Sequence, residues 1–511
     1  MKTKKMKLRI LAILAATVLG TASCTKILNQ EPKNSTYSEK FWQTGRDARY
    51  ALAGNYSLLR SALSTGWRYN MYGDGLAKAY YVIDYEGDGL EGIQGGDFTF
   101  QYNVNTYGNW ADFFKVITMS NEIIARIPKM TDAMVSDDDE GDSDPVKFRN
   151  KLVGQALFIR AYTYFTMTRI WGDVPLVLEA YADPITAPQL PRTPKAEVLA
   201  QIIKDAQEAA SLMRWGYDSY TVGAGPVMAN KGAAYALLAH AYLWRATTAN
   251  LSTVNLADVH SADTTIAQVM AYGGYSHTDT SGANYYRTFI GKSSEGIFEI
   301  AMAEDQLEGS NNSIGMKFLR NDYLAGKGAA NRMAVQPSYF ESHYPDSLMP
   351  DVRYTKNFDF WDNPRPMCRK FSNVIYRRPG KKEDPYLSNN MIIFRLTDLE
   401  LLRAEIAIYE GRLHDAYDVI NVVRKRNGAP EYPDLNYTKS QMIEYYINER
   451  GRELYLEGHN FYDIVRTGAT HIVDWLTAQR RLQEGFYWPV DPRLFRGNPF
   501  LLQTSFWRGR V

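Results

Sequence analysis

The sequence predicts an all-α protein built from tetratricopeptide-like helical pairs that stack into a superhelix, with large irregular segments inserted between the pairs. Between 391 and 468, apolar residues recur at helical spacing on both sides of Gly411, which indicates two short helices joined at a glycine. Glycine at the turn, followed by small residues where the helices touch, is close to the tetratricopeptide pattern. One such hairpin cannot bury its apolar face alone, so we expect several along the chain.

Further helical segments occur elsewhere in the chain. The first spans about 45–64, with Ala48 and Leu52 on one face. Thr438 and Gln441 form a capping-box signature that opens a late helix. We expect three or four hairpins in total, at about 110–171, 194–246, 395–427 and 440–466.

Two segments show no sustained helical or strand period, residues 65–110 and about 250–390. The first alternates aromatic residues with glycines, and the second is rich in Gly, Asn, Tyr and Pro. Long ordered loops usually carry function. We therefore expect both segments to be structured loops that the helical scaffold carries, and we expect the binding surface there.

Composition and charge narrow the class of protein. The chain has 511 residues and a formal net charge of +1, so no global field points to nucleic acid, and we expect no nucleic-acid partner. Its 36 tyrosines outnumber its 21 phenylalanines. Tyrosine has an apolar ring with a polar edge, so this excess fits a wet binding surface better than a dry core.

The N-terminus predicts a lipoprotein. Residues 1–23 combine a basic start, an apolar stretch too short to span a bilayer and a small-residue cleavage site, and Cys24 follows at once. We expect Cys24 to carry the lipid and residues 24–44 to form a tether. The usual box has Leu where Thr21 stands, so an ordinary secretory signal is the alternative. Lipidation of Cys24 would leave Cys368 without a disulfide partner.

Motifs for catalysis and cofactor binding are weak. Residues 87–92 match G-x-G-x-x-G, but the residues after them, Ile93 to Gly96, are not expected to start the helix that a dinucleotide site requires. No two histidines have the helical spacing of a metal site. Glu449 and Glu453 lie four residues apart, as a hydrolase pair could, but the arginines beside them favour a structural ion-pair network. We expect no cofactor, no metal and no catalytic residue.

The candidate ligand-binding residues are ring-bearing and polar side chains of the two irregular segments. Sugars present C–H faces that stack on aromatic rings, and their hydroxyl groups need polar partners. The first segment offers Trp67, Tyr80, Tyr81 and Tyr102 as rings, with Asp74 and Asn103 as polar contacts. The second segment offers Arg320, Asp322, Tyr323 and Trp361. The alternative is that many of these rings only pack the loops against the scaffold.

Segments along nearly the whole chain, taken in order, resemble the SusD/RagB family, surface lipoproteins of Bacteroidetes that capture nutrients. The segments that carry the resemblance are Cys24 with 41–60, 110–128, 154–177, 191–209, 294–300, 350–353, 392–408, 447–468, 487–492 and 498–503. The family often finishes in Gln-Asn-Pro-Gly-Tyr. Here Thr504 to Trp507 follow Gln503, a departure that affects only the last turn.

The resemblance implies a single α-helical domain over 45–511, with a SusD-like N-terminal part at about 45–246 and a RagB/SusD C-terminal part at about 285–511. It implies a non-catalytic receptor that binds an oligosaccharide and delivers it to a SusC-like TonB-dependent transporter. Such a receptor is held in the outer membrane by its N-terminal lipid and faces the cell exterior. A RagB-like peptide receptor and a repeat scaffold that only gates the transporter are the alternatives.

Overall fold

The computed structural model of the protein describes residues 41–82, 89–136, 144–181, 188–217, 225–302, 308–309, 313–319, 332–345, 350–359, 366–378, 381–434 and 436–511. The predicted lipid site and the candidate residues of the second segment lie outside these ranges, namely Cys24, Arg320, Asp322, Tyr323 and Trp361. Their roles stay predictions.

Most of the described chain is helical. The helices of the first half are α1 (Gly45–Ser64), α2 (Arg68–Gly73), α3 (Leu90–Gln94), α4 (Gln101–Tyr107), α5 (Ala111–Arg126), α6 (Asp132–Ser136), α7 (Pro145–Trp171), α8 (Lys195–Leu212), α9 (Lys231–Thr248) and α10 (Leu256–Tyr272). Those of the second half are α11 (Arg287–Ile290), α12 (Gly315–Phe318), α13 (Pro337–His343), α14 (Val352–Asn357), α15 (Leu396–Tyr409), α16 (Leu413–Arg426), α17 (Lys439–Glu453), α18 (Asn460–Thr467) and α19 (Ala478–Leu482).

The predicted all-α architecture of helical pairs is confirmed. Helix α5 packs on α7, α8 on α9, α15 on α16, and α17 on α18, which are the four hairpins expected from the sequence. The capping box that opens α17 is present, since Gln441 N donates to Thr438 Oγ1 at 3.2 Å and Thr438 N donates to Gln441 Oε1 at 2.9 Å. Among the described residues, no helix is both long enough and apolar enough to cross a bilayer.

The prediction that the two inserted segments are irregular was partly wrong. Helix α10 lies in the second segment and packs on α9. Its buried Val259, Ala262, Ile266 and Val269 recur at helical spacing, so this helix was readable from the sequence. The first segment contains α2, α3 and α4, and α3 forms where no helix start was expected, although it has only five residues.

Short antiparallel ladders connect the inserted segments. Strand β1 pairs with β3, so that Tyr81 lies opposite Ala334, and β2 pairs with β8, which leads directly into α15. The remaining ladders join β4 to β5 and β6 to β7. The strands are β1 (Tyr80–Val82), β2 (Gly296–Ile300), β3 (Met333–Val335), β4 (Phe358–Asp359), β5 (Met367–Cys368), β6 (Val374–Arg378), β7 (Lys381–Leu387) and β8 (Met391–Arg395). The β1–β3 ladder therefore joins the first inserted segment to the second.

An ion-pair network lies in the core between the second inserted segment and the C-terminal helices. The guanidinium of Arg353, which is 1% exposed, contacts Glu449 Oε1 at 2.7 Å and Glu453 Oε2 at 2.8 Å. Arg395 contacts Glu453 Oε1 at 2.9 Å and Glu457 Oε2 at 2.7 Å. Burial alone would raise the pKa of Glu449, but the surrounding guanidinium groups lower that pKa to about 2. Glu449 and Glu453 therefore belong to a structural ion-pair network, as the arginines next to them in the sequence led us to expect.

Candidate ligand-binding site

The turn after α1 holds its residues in an unusual backbone conformation. Gly66 and Trp67 have φ of 64° and 55°, so two consecutive residues are left-handed. Glycine adopts this conformation without strain, whereas a bulky side chain there is an outlier. The Trp67 ring is half-buried, and its Nε1 has no acceptor among the residues described. A strained backbone and an unsatisfied donor both cost stability, and such costs concentrate at functional sites.

The second inserted segment reaches the same indole. The Lys317 ammonium of α12 lies 4.4 Å from the centroid of the Trp67 ring, and the Arg332 guanidinium lies 5.6 Å from it. The β1–β3 ladder also joins the two segments and pairs Tyr81 with Ala334, two residues after Arg332. We call the group formed by Trp67, Tyr81, Lys317 and Arg332 the Trp67 junction. It is the place where the two inserted segments meet.

The residues close to those of the Trp67 junction along the chain are tightly packed. Tyr80 is fully buried, and its ring meets the Phe318 ring edge-on at 5.5 Å. At the end of α2, a Cβ on Gly73 would lie 2.2 Å from Gly458 O, so only glycine fits where this segment crosses the chain between α17 and α18. The same crossing is fastened by Asp74, whose Oδ2 accepts from Gly458 N at 2.8 Å. Burial raises the pKa of Asp74 to about 8.

The six described candidates from the first segment divide into an accessible and an inward set. Trp67 and Tyr81 are half-buried, and Tyr102 is 41% exposed. The inward set is Asp74, Tyr80 and Asn103, each fully buried.

Each inward position has a clear physical reason. Side chains alternate along a strand, so Tyr80 of β1 faces the core while Tyr81 points the other way. Asn103 donates from Nδ2 to Gly89 O at 2.9 Å, which ties α4 to the loop before α3. In this structure the buried side chains of the inward set pack and hydrogen-bond within the protein. Their direct contact with a ligand stays a prediction.

Sequence reasoning missed the two cations of the junction. Lys317 and Arg332 stand in no motif, and each lies far along the chain from Trp67. Only the folded arrangement brings them to the ring. The phenyl ring of Phe100, which is 43% exposed beside Tyr102, was also missed, although its place among the aromatic residues of the first segment could have suggested it.

A second polar cluster lies in the core and was not expected from the sequence. His240, Asp398 and His459 bring one ligand atom each to within 4.8 Å of one another, from three separate elements. Their geometry could hold a metal ion, but His240 Nε2 already lies 2.8 Å from Asp398 Oδ2, and the Arg450 guanidinium lies 2.9 Å from Asp398 Oδ1. A guanidinium on the same carboxylate repels a cation, so the contacts favour a hydrogen-bonded network.

Two stretches of this chain match known protein families. The family described as "SusD family" matches residues 338–493, which include α14 to α19. The family described as "Starch-binding associating with outer membrane" matches residues 92–243, which include α4 to α8. The two matches are separate and together take in both halves of the helical scaffold.

Individual relatives match over almost the whole chain. SusD-like protein P38 of Formosa agariphila is 24% identical over 98% of this chain and 99% of its own length. A crystal structure of a SusD superfamily protein from Bacteroides thetaiotaomicron superposes with a TM-score of 0.76 at 22% identity, covering 91% of this chain and 99% of that one. NanU of Bacteroides fragilis gives a TM-score of 0.70 at 22% identity over 93% of this chain and 99% of its own. The family matches, the related sequences and the shared fold show that this chain belongs to the SusD/RagB family.

Proposed function

We propose that the protein is a cell-envelope receptor that binds an oligosaccharide at the Trp67 junction. The observation that carries the proposal is the indole of Trp67, held in a left-handed backbone where both inserted segments meet. Tyr81 and Tyr102 offer further rings that solvent reaches. The description of the matched N-terminal family as starch-binding supports a sugar as the ligand. Arg320, Asp322, Tyr323 and Trp361 are proposed as further contacts from the second segment.

Binding without turnover is part of the proposal. A glycoside hydrolase needs two carboxyl groups on either side of the bond that is cleaved. The helical pair that the sequence offers, Glu449 and Glu453, is engaged by Arg353 and Arg395 in the core. We therefore propose that the ligand leaves the site unchanged. Chromatography of a glycan incubated with the protein checks this, and shorter products that disappear in Glu449→Gln would contradict it.

Titration calorimetry of the mature chain against a panel of glycans and peptides tests the ligand class. We expect a glycan to bind, and we expect Trp67→Ala to weaken that binding at least about tenfold, as truncation of a central aromatic contact does. Tyr50→Ala is the matched control, because Tyr50 is a 63% exposed ring on α1 away from the junction. Binding of peptides alone would favour the RagB-like alternative. Binding of neither, with nutrient uptake intact in Trp67→Ala cells, would favour a gating scaffold.

We further propose that a lipid on Cys24 anchors the protein in the outer membrane, facing the cell exterior, and that a SusC-like TonB-dependent transporter receives the ligand. The outer-membrane association in the matched family's description supports this location. Growth with a clickable fatty acid should label the protein, and Cys24→Ala should abolish the label. A label that survives the substitution would contradict the anchor. Co-purification of the detergent-solubilised protein with a TonB-dependent transporter tests the partner.

A further inference from the structure

The Trp67 junction contains a lysine whose charge the described protein does not balance. Lys317 is half-buried, and its ammonium lies over the face of the Trp67 indole. Within the described ranges, it forms no ion pair with a carboxylate. The buried lysine of the core differs, because Lys370 lies 2.6 Å from Glu457 Oε1. Lys317 is thus partly removed from water, and within the part of the chain that the structure describes it contacts a ring but no negative charge.

Burial without a counter-charge is unfavourable for an ammonium group, and it lowers the pKa of Lys317. The indole face offsets part of this cost, because a cation over a tryptophan is attracted by the quadrupole of the ring. Arg332 adds a second positive charge near the same indole, at 5.6 Å. The Lys317 ammonium therefore places a positive charge beside the surface on which a sugar would stack.

Resting on the proposed function, we propose that the ligand is an acidic oligosaccharide whose anionic group binds Lys317 while a sugar ring stacks on Trp67. The anion supplies a counter-charge that no described residue gives Lys317, so the acidic ligand gains an interaction that a neutral one cannot make. Lysine acts as a point charge with rotatable donors and does not impose the planar geometry of arginine. A uronate carboxylate and a sulfate ester both satisfy it, and the experiment must separate the two.

Titration calorimetry with matched polysaccharide pairs tests the inference. The first arm compares uronate oligosaccharides with the same material after reduction of its carboxyl groups. The second arm compares sulfated oligosaccharides with the same material after desulfation. In one arm we expect the acidic member to bind at least about tenfold more tightly than its neutral partner, and we expect this preference to shrink between about 50 mM and about 500 mM NaCl because salt screens the charge.

Variants assign the preference to the junction. Lys317→Met should bring the acidic ligand to the affinity of its neutral partner, whereas Lys317→Arg should retain most of the preference. Lys204→Met, which removes an exposed lysine from α8, is the control and should change neither affinity. Circular dichroism and thermal melting of each variant confirm that it is folded, so that a lost preference reports on the charge.

The outcomes separate this inference from the proposed function. Equal affinity for acidic and neutral members in both arms, with binding that depends on Trp67, would overturn the acidic ligand and leave a sugar receptor. A preference that survives in Lys317→Met would also overturn it, because the charge would then lie elsewhere. Absence of binding to every glycan would overturn both. The arm that shows the preference identifies the anion as a carboxylate or as a sulfate.

Discussion

The core of the C-terminal helices and the Trp67 junction differ in the partners that they give to a buried positive charge. In the core, the guanidinium of Arg353 is surrounded by three carboxylates, from Asp351, Glu449 and Glu453. At the junction, Lys317 is half-buried beside an aromatic ring and meets no carboxylate within the described part of the chain. Both cations are withdrawn from water, but among the described residues carboxylates neutralise only the first.

Under the proposed function, this difference separates charges that serve the fold from a charge that is available to a ligand. A buried charge is tolerated when partners and hydrogen bonds surround it, and removal of one partner leaves the others uncompensated. The network around Arg353 is complete in this sense, so its role is structural. Lys317 is partly buried beside a half-buried ring with no carboxylate among the described residues, so under the proposed function its charge is available to a ligand.

The largest expected effect comes from breaking the core network. Arg353→Met leaves three buried carboxylates without their shared cation, so we expect the free energy of unfolding to fall by about 3–5 kcal/mol. Lys317→Met removes a cation that no described carboxylate contacts, and it should change the free energy of unfolding by less than about 0.5 kcal/mol. Urea denaturation followed by circular dichroism measures both. Similar losses of unfolding free energy in the two variants would contradict the view that only the charge of Arg353 serves the fold.

The next effect concerns the crossing that joins the two regions. Gly73→Ala places a methyl group against Gly458 O, and we expect it to destabilise the protein by about 1–3 kcal/mol because the backbone must move apart. Gly54→Ala in α1 is the matched control, since nothing lies within 4 Å of the added methyl, and it should be neutral or slightly stabilising. Thermal melting compares the two variants. Equal melting temperatures would show that the crossing is looser than its geometry indicates.

A smaller effect on stability, with a large effect on binding, is expected at the ring of the junction. Trp67→Gly removes the packing of the indole but also relieves a left-handed backbone that a bulky residue adopts at a cost. These contributions oppose each other, so we expect the free energy of unfolding to change by less than about 1 kcal/mol. Binding of the glycan found by calorimetry should nevertheless be lost. A large loss of stability would show that Trp67 serves the core rather than a ligand.

A further prediction concerns pH dependence, and it compares two buried carboxyl groups. Arginines hold the pKa of Glu449 at about 2, whereas burial without such partners raises the pKa of Asp74 to about 8. In the unfolded chain the Asp74 carboxyl titrates near its ordinary value, about 3.9. Between these two values the folded state binds more protons than the unfolded state, so the contribution of Asp74 to stability falls as the pH rises from about 4 to about 8.

Asp74→Asn removes this titration and keeps an oxygen that can accept from Gly458 N. We therefore expect the difference in the free energy of unfolding between wild type and variant to move in favour of the variant from about pH 5 to about pH 8. Urea titrations across this range measure the difference, in which the titrations of all other groups cancel. A difference that stays constant with pH would contradict the raised pKa.

The sequence predicted the scaffold well because its helices bury one face at a regular spacing. Helix α1 was predicted at about 45–64 and occupies Gly45–Ser64, and the capping box of α17 was readable from Thr438 and Gln441. Helix α10 has the same kind of signal, since its buried apolar residues also recur at helical spacing.

The site was less predictable, because it depends on contacts between segments that are distant along the chain. The aromatic content of residues 65–110 indicated rings, but burial of Tyr80 beside an accessible Tyr81 follows from the pairing of β1 with β3, which no local pattern reveals. The approach of Lys317 to Trp67 is likewise a product of tertiary structure. Sequence could name the side chains suited to a ligand, but it could not tell which of them face solvent.

The left-handed turn at Gly66 and Trp67 has a thermodynamic consequence for capture. The turn positions the backbone of Trp67, and packing against the core holds its half-buried ring, so in the proposed receptor part of the entropy of orienting the ring is lost when the chain folds and not when the ligand binds. Association should then need little rearrangement, and its rate should be set mainly by encounter. A receptor of this kind would hold even a short fragment without first having to close around it.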